Sequence, residues 1–371
     1  MMKVLVTGGC GFIGSHLVDR LVNDGYKVKV YDLLEYQVHH GKKPQYLNKN
    51  AEYIFADIRD KDSLKKAIRG VEVIFHLASQ VGVGQSMYQI EKYTSHNLTG
   101  TAVLLDVLVN TRNKVKKLIV ASSMSIYGEG AYKCKNCGVV YPQKREQKQL
   151  KRKDWELYCP NCNKKIKPIP TPENKPLYPS SIYASNKRVQ EEMCLIVGKA
   201  YKIPTVALRY FNVYGPRQSL SNPYTGVAAI FLSRVKNNKP PLVFEDGKQS
   251  RDFIYIDDLI TANILAMENS QADYEIFNVG SGKPTRIIEI AYTIISLLGS
   301  DVGVNVLSRY RIGDIRHCYA DISKIRNVLG FEPRIKFGEG MRHLISWAET
   351  EKAIDLTDKA YRELEKHHLT T

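Results

Sequence analysis

The run Thr7-Gly8-Gly9-Cys10-Gly11-Phe12-Ile13-Gly14 constrains this chain more than any other feature of its sequence. It joins a short apolar run, Val4–Thr7, to a stretch, Phe12–Asn23, that places Ile13, Leu17, Leu21 and Val22 on one helical face. Glycines at such a junction let the backbone turn tightly and approach a pyrophosphate. The N–H groups and dipole of the helix N-terminus then favour the anion. Both G-x-G-x-x-G (Gly9, Gly11, Gly14) and G-x-x-G-x-x-G (Gly8, Gly11, Gly14) are satisfied. A second apolar run, Lys27–Asp32, ends on an acid about 20 residues further along, where a carboxylate accepts hydrogen bonds from the adenine ribose and repels a 2′-phosphate. The expectation is a site for NAD rather than NADP.

The same rhythm continues. Tyr53–Ala56, Val71–His76 and Lys117–Ala121 are strand-length apolar runs, separated by helical stretches at Asp62–Arg69 and Tyr93–Asn110. Alternation of this kind predicts an α/β fold, a Rossmann-type doubly wound parallel sheet with helices on both faces. Beyond it, Ile182–Tyr201 reads as a helix and Thr205–Tyr210 as a strand. Helices at Gly226–Asn237, Asp258–Met267 and Ile287–Leu298 then mix with short strands at Leu242–Phe244, Phe253–Ile256 and Ile276–Val279, which points to a smaller, mixed C-terminal lobe. Leu356–Thr371 reads as a polar helical tail.

A segment between Lys133 and Lys167 breaks the rhythm. It carries Cys134-x-x-Cys137 and Cys159-x-x-Cys162 with 21 residues between the pairs, four of the seven cysteines. Two such knuckles offer four thiolates to a tetrahedral ion and leave no coordination position open, so structural Zn²⁺ is expected on Cys134, Cys137, Cys159 and Cys162. The chain's net charge is +16, and residues 131–170 hold eleven Lys/Arg against three Asp/Glu, a surplus of +8. Half of the excess is therefore local. The rest of the chain is mildly basic, as suits an enzyme that attracts a diphosphate, and nucleic-acid binding is not expected. The N-terminal apolar run is too short for a signal peptide, and no stretch is long enough to span a bilayer, so a cytoplasmic protein without membrane attachment is expected.

Two later motifs carry chemistry. Ser122-Ser123-Met124-Ser125-Ile126-Tyr127-Gly128 follows the fifth strand, at the carboxyl edge of the sheet. Tyr183 and Lys187 stand four apart on one helical face. A lysine cation beside the phenol, together with a positive nicotinamide, favours the phenolate and would lower the tyrosine pKa, fitting Tyr183 to act as base toward a hydroxyl while hydride leaves the same carbon.

With these motifs in order, the chain resembles the extended short-chain dehydrogenase/reductases, the nucleotide-sugar epimerase and dehydratase group. The likeness rests on Thr7–Gly14, Asp32, Asp57-Ile58, His76-Leu77-Ala78, Asn97, the serine motif, Tyr183 with Lys187, Arg209–Arg217, Arg251-Asp252-Phe253 and Arg311–Asp314. It implies catalysis by Ser123, Tyr183 and Lys187, with Ser123 bonding the sugar oxygen that Tyr183 deprotonates. It implies NAD contacts from Gly8, Gly11, Phe12, Ile13, Gly14, Asp32, Asp57, Ile58, Leu77, Ala78, Asn97 and Phe211, besides Tyr183 and Lys187. Substrate contacts fall to Ser123, Asn212, Arg251 and Arg311, and a homodimer is implied as well. The domains expected are 1–130 with 171–215 for NAD, 131–170 for the four-cysteine zinc module, 216–352 mainly for the nucleotide sugar, and 353–371 for the tail.

Dehydratases of this group carry an Asp-Glu pair after the serine, and decarboxylases a Glu. This chain has Met124 and Ser125, which supply neither acid nor base. The simplest cycle left is oxidation at C4, turning of the 4-keto sugar and hydride return, which is 4-epimerisation. Gln80–Met87, the serine motif and the four-cysteine insertion look most like the branch of dTDP-L-rhamnose 4-epimerases. UDP-hexose, UDP-N-acetylhexosamine and UDP-glucuronate 4-epimerases are near alternatives, and a dehydratase or decarboxylase a further one. A zinc-ribbon nucleic-acid binder or an NAD sensor would be a different class; intact Ser123, Tyr183 and Lys187 speak against a sensor. The insertion separates Ser123 from Tyr183, so its ends are expected at the site rim, where it would form a lid or a subunit contact with its basic face toward phosphate.

Overall fold

The computed structural model describes residues 1–370. Five strands, β1 (Lys3–Thr7), β2 (Lys27–Asp32), β3 (Glu52–Phe55), β4 (Val73–His76) and β5 (Lys117–Ser123), are joined by β6 (Thr205–Tyr210) and β7 (Ile276–Val279) in one sheet. Its order is β7-β6-β5-β4-β1-β2-β3 and every pairing is parallel. Along β1 the side chains alternate, Val4 and Val6 into one core and Leu5 into the other, and all three are fully buried. A strand buried on both faces needs helices on both faces. Each such residue contributes on the order of 1.5–3 kcal/mol.

β7 is a finding. The sequence reading assigned Ile276–Val279 to the C-terminal lobe, but the chain returns to pair it with β6 along Ala207–Tyr210. The expected Tyr93–Asn110 helix is also more complex. It runs from Ile90 to Asn110 but widens into a π turn over Ser95–Thr99. Helix α1 (Phe12–Asn23) follows the glycine turn, and α2 (Ile182–Ala200) is capped by the Ser181 hydroxyl accepting from the Ala184 N–H.

Residues Ala131–Cys134, Gly138–Val140 and Lys167–Ile169 form a separate three-stranded antiparallel sheet. Around it Tyr132, Val140, Leu157 and Ile166 close a small core with Cys134 and Cys159. The tail forms α3 (Thr357–Lys366); Thr371 lies outside the described residues. Among the described residues no helix is long and apolar enough to cross a membrane.

Candidate active site

Between β1 and β4 the chain switches direction across the sheet, and there the carboxyl ends of the strands open a cavity of about 470 Å³. Two glycines are required by close approach. A Cβ on Gly14 would lie 2.2 Å from the Gly8 carbonyl oxygen, and one on Gly8, whose φ is +72°, would lie 2.8 Å from the Ala78 nitrogen. The resulting cradle is backbone, at the N-terminus of α1. Asp32 is fixed at the end of β2 by the N–H groups of Cys10 (2.9 Å) and Leu34 (2.8 Å), and lines the same cavity.

Of the residues the resemblance places against NAD, Gly8, Gly11, Phe12, Ile13, Gly14, Asp32, Ile58, Leu77, Ala78, Tyr183, Lys187 and Phe211 line this cavity. Asp57 and Asn97 do not. The Asp57 carboxylate is taken up by Arg59 at 2.6 and 2.9 Å. Asn97, fully buried on the π turn, accepts from the Gln80 N–H (2.7 Å) and the Ser79 hydroxyl (3.1 Å), and so pins the loop that forms the cavity wall.

Ser123 ends β5 and caps the following turn, its oxygen accepting from the Ser125 N–H (3.2 Å) and hydroxyl (2.9 Å). Its own proton is left to donate. Ser122 is committed elsewhere, donating to Glu191, which is paired with Arg209. Burial pushes the Tyr183 phenol up to about 12, against a hydrogen bond with Ser123 that pulls it down. The lowering expected from Lys187 is absent in the protein alone. The Lys187 ammonium donates to the Ala121 carbonyl (2.9 Å) and to Gln190 (2.8 Å), and burial pulls its pKa down to about 7.

A second cavity, of about 300 Å³, continues from the first past Met124, Ser125 and Asn212. Arg251 and Arg311 line it, so all three substrate candidates meet Ser123 across one continuous space. The Asn212 side-chain oxygen is buried without a hydrogen-bond partner. Arg251 is held by the carbonyls of Ser250, Ile315 and Arg316 and by Asp314, and Arg311 pairs with Asp314 at 2.7 Å. The acids of the two walls are Asp32, Glu35 and Asp314. Burial would raise Glu35, but the Gln80 hydrogen bond and Lys92 bring its pKa below the ordinary range. Burial is likewise outweighed at Asp314, where Arg311 and Arg251 hold the carboxyl at about 2. None of the three is a free acid beside Met124.

Sequence reasoning missed the tail's part in the site. Tyr361, Leu364 and Leu369 line the second cavity, with Tyr361 against Phe244 and the Ile312 N–H donating to the Leu369 carbonyl (2.8 Å). The amphipathic spacing of Ala360 and Leu364, both buried, was the available signal. The insertion behaves contrary to the lid expectation. None of residues 131–170 lines either cavity. Its four sulfurs lie within 4.8 Å of one another, Cys134 and Cys162 at 3.6 Å, and the N–H groups of Asn136 and Cys137 bond to the Cys134 sulfur. Tetrahedral Zn–S bonds of about 2.3 Å would set sulfurs about 3.8 Å apart, so the donor set fits that ion.

An open parallel sheet with a glycine cradle at its switch point and a Ser–Tyr–Lys group above it defines a dinucleotide-dependent enzyme of the short-chain dehydrogenase type. The profile described as "NAD dependent epimerase/dehydratase family" matches residues 4–146 and 160–280. The chain belongs to that family. It is 33% identical over 356 residues to the dTDP-L-rhamnose 4-epimerase of Burkholderia thailandensis, covering 94% of this chain and 95% of that one. Among solved structures, the UDP-N-acetylglucosamine 4-epimerase of Methanobrevibacter ruminantium, in complex with UDP-N-acetylmuramic acid, superposes with a TM-score of 0.75 at 33% identity over 95% of this chain and 99% of the other. The UDP-glucuronic acid 4-epimerase of Bacillus cereus, bound to UDP-glucuronic acid and NAD, gives 0.77 at 28% identity, covering 94% and 99%.

Proposed function

We propose that this enzyme is an NAD-dependent nucleotide-sugar 4-epimerase. The observation that carries the reading is Tyr183 paired with Ser123 over a cavity with no free acid beside Met124 and Ser125. NAD, when bound, supplies the hydride acceptor and returns the hydride. Tyr183 takes the proton of the C4 hydroxyl, Ser123 donates to the same oxygen, and Lys187 lies behind them, held by the Ala121 carbonyl and Gln190. Because burial outweighs the Ser123 hydrogen bond and leaves Tyr183 near 12, the deprotonation depends on the added positive charge of the oxidised nicotinamide. Asn212, Arg251 and Arg311 would receive the nucleotide diphosphate, with Arg251, whose terminal N–H groups are held within the protein, contributing its charge and Arg311 the more exposed guanidinium. The adjoining cavities leave the 4-keto sugar room to turn without exchanging Tyr183 as its partner.

The relatives' activities favour dTDP-L-rhamnose, UDP-hexoses, UDP-N-acetylhexosamines or UDP-glucuronate as substrates. Zn²⁺ at the four cysteines is part of the proposal, supported by the spacing of their sulfurs, and metal analysis of purified protein tests it. A homodimer through α2, where Ile196 is 66% exposed, and a cytoplasmic location consistent with unpaired thiols complete it. Sedimentation tests the dimer. The function is tested by incubating the protein with dTDP-L-rhamnose, UDP-glucose, UDP-N-acetylglucosamine and UDP-glucuronate, with and without added NAD, and following C4 by NMR. A C4-inverted product is expected from one of them. A 4-keto-6-deoxy sugar from UDP-glucose or UDP-N-acetylglucosamine, or a pentose from UDP-glucuronate, would overturn the epimerase reading.

A further inference from the structure

The four-cysteine module meets the rest of the molecule through charge. Ten of its eleven Lys/Arg are exposed; the exception is Arg145, with a side chain 2% exposed. Arg145 forms a two-pronged pair with Glu245 at 2.8 and 3.0 Å, and reaches the Asp314 carbonyl at 3.4 Å. Glu156, from the same module, receives Arg316 at 2.6 and 3.1 Å and faces His317 at 3.4 Å. Arg316 is fully buried and binds Glu245 (2.9 Å) and both oxygens of Asp246 (2.6 and 3.0 Å). Tyr132 donates to Glu129, which accepts the N–H groups of Arg316 and His317.

The segment held in this way is the one that holds Arg251. The Ile315 and Arg316 carbonyls accept from its guanidinium at 2.5 and 2.9 Å, and Asp314 joins Arg251 to Arg311. The chain of contacts is therefore continuous, from module to Arg316, from Arg316 to its own carbonyl, and from that carbonyl to the arginine facing the cavity.

We infer that Arg145 and Glu156 are positioning residues for the nucleotide-diphosphate site, and that the four-cysteine module exists to present them. The inference rests on reading Arg251 and Arg311 as the diphosphate clamp. A buried charge that loses its partner drags its neighbours into a new arrangement, whereas outward lysines are replaceable. The module thus acts on phosphate through the clamp's backing and not through its own basic face.

The test uses the full-length protein with its metal, and UDP and dTDP as calorimetric probes. Arg145→Met, Glu156→Gln and Arg311→Met are compared for affinity, NAD content, thermal midpoint and the KM and kcat of the substrate found. Arg145→Met is expected to weaken UDP or dTDP about tenfold and Glu156→Gln about threefold. The loss should appear in KM with kcat within twofold, and NAD content should not change. Hydrogen exchange of residues 309–318 should quicken in both variants. If Arg311→Met weakens the probes while Arg145→Met and Glu156→Gln bind them like the parent, the positioning role is wrong and the clamp stands. If Arg311→Met binds like the parent, the clamp reading falls and this inference with it. Should Arg145→Met fail to fold, Glu156→Gln, whose side chain is 45% exposed, decides the matter.

Discussion

At the glycine end of the cavity, the walls come from neighbouring strand ends, Thr7–Gly14, Asp32, Ile58 and Leu77–Ala78, and the cradle itself is backbone. At the arginine end, Asn212, Arg251 and Arg311 come from three separate segments, the insertion backs them, and the tail closes the wall. The first end is a property of local geometry: once β1 turns into α1, the N–H groups already point at an anion. The second end is a property of packing, since Arg251 is aimed by the carbonyls of Ile315 and Arg316 and shares the Asp314 carboxylate with Arg311. One end is set by where the backbone runs, and the other by which side chains brace it.

The largest effect should fall where the two ends meet. Tyr183→Phe removes the proposed proton acceptor and leaves both ends intact, so kcat should drop by about 10²–10⁴-fold. NAD content and UDP or dTDP affinity should stay at parent values; a variant retaining a tenth of the activity would place the base elsewhere. Gly14→Val comes next and attacks the glycine end alone. Its Cβ would sit 2.2 Å from the Gly8 carbonyl oxygen, so the variant should lose bound NAD, read by the absorbance of released cofactor. Normal NAD content would contradict the backbone-cradle account. Removing the zinc proposed for the four cysteines attacks the opposite end. After treatment with a chelator that strips zinc, nucleotide affinity should fall about tenfold while NAD remains, and simultaneous loss of both ligands would mean that the two ends are not independent.

The same contrast explains what was legible in the sequence. The glycine turn, Asp32, the strand–helix rhythm and the paired cysteines are each marked by residue types at regular spacings along the chain, and all appear in the structure where expected. β7 was misplaced because a four-residue apolar run carries no mark of which sheet it joins. Arg145 looks like any of its ten basic neighbours until the fold brings Glu245 to it across 100 residues. Asn97 is similar: the resemblance placed it against NAD, whereas its hydrogen bonds tie down a loop. Buried polar networks are long-range by construction, and local pattern reading cannot reach them.

Two smaller effects test how tightly the arginine end is made. Asp314 is held at about 2, below its ordinary 3.8, because Arg311 and Arg251 outweigh its burial. Its stabilisation is complete above the unfolded value and is lost as pH falls from near 4 toward 2. The difference in thermal midpoint between the parent and Asp314→Asn should therefore shrink across that window, and a difference that grows would reverse the assignment.

The tail should give the smallest change. Tyr361 packs on Phe244, with ring centroids 5.9 Å apart, and its hydroxyl accepts from Arg309 at 2.5 Å. An aromatic contact of this kind is worth about 0.5–1.5 kcal/mol beyond the area it buries. Tyr361→Ala should accordingly raise the nucleotide-sugar KM about two- to tenfold, leaving kcat and NAD content unchanged. Tyr361→Phe keeps the ring and should recover most of that loss, because the hydroxyl faces a half-exposed arginine whose surface hydrogen bond contributes little. If Tyr361→Phe is as impaired as Tyr361→Ala, the tail holds the cavity through Arg309 instead. The arginine end would then be governed by charge even at its outermost wall, sharpening its contrast with the backbone cradle at the other end.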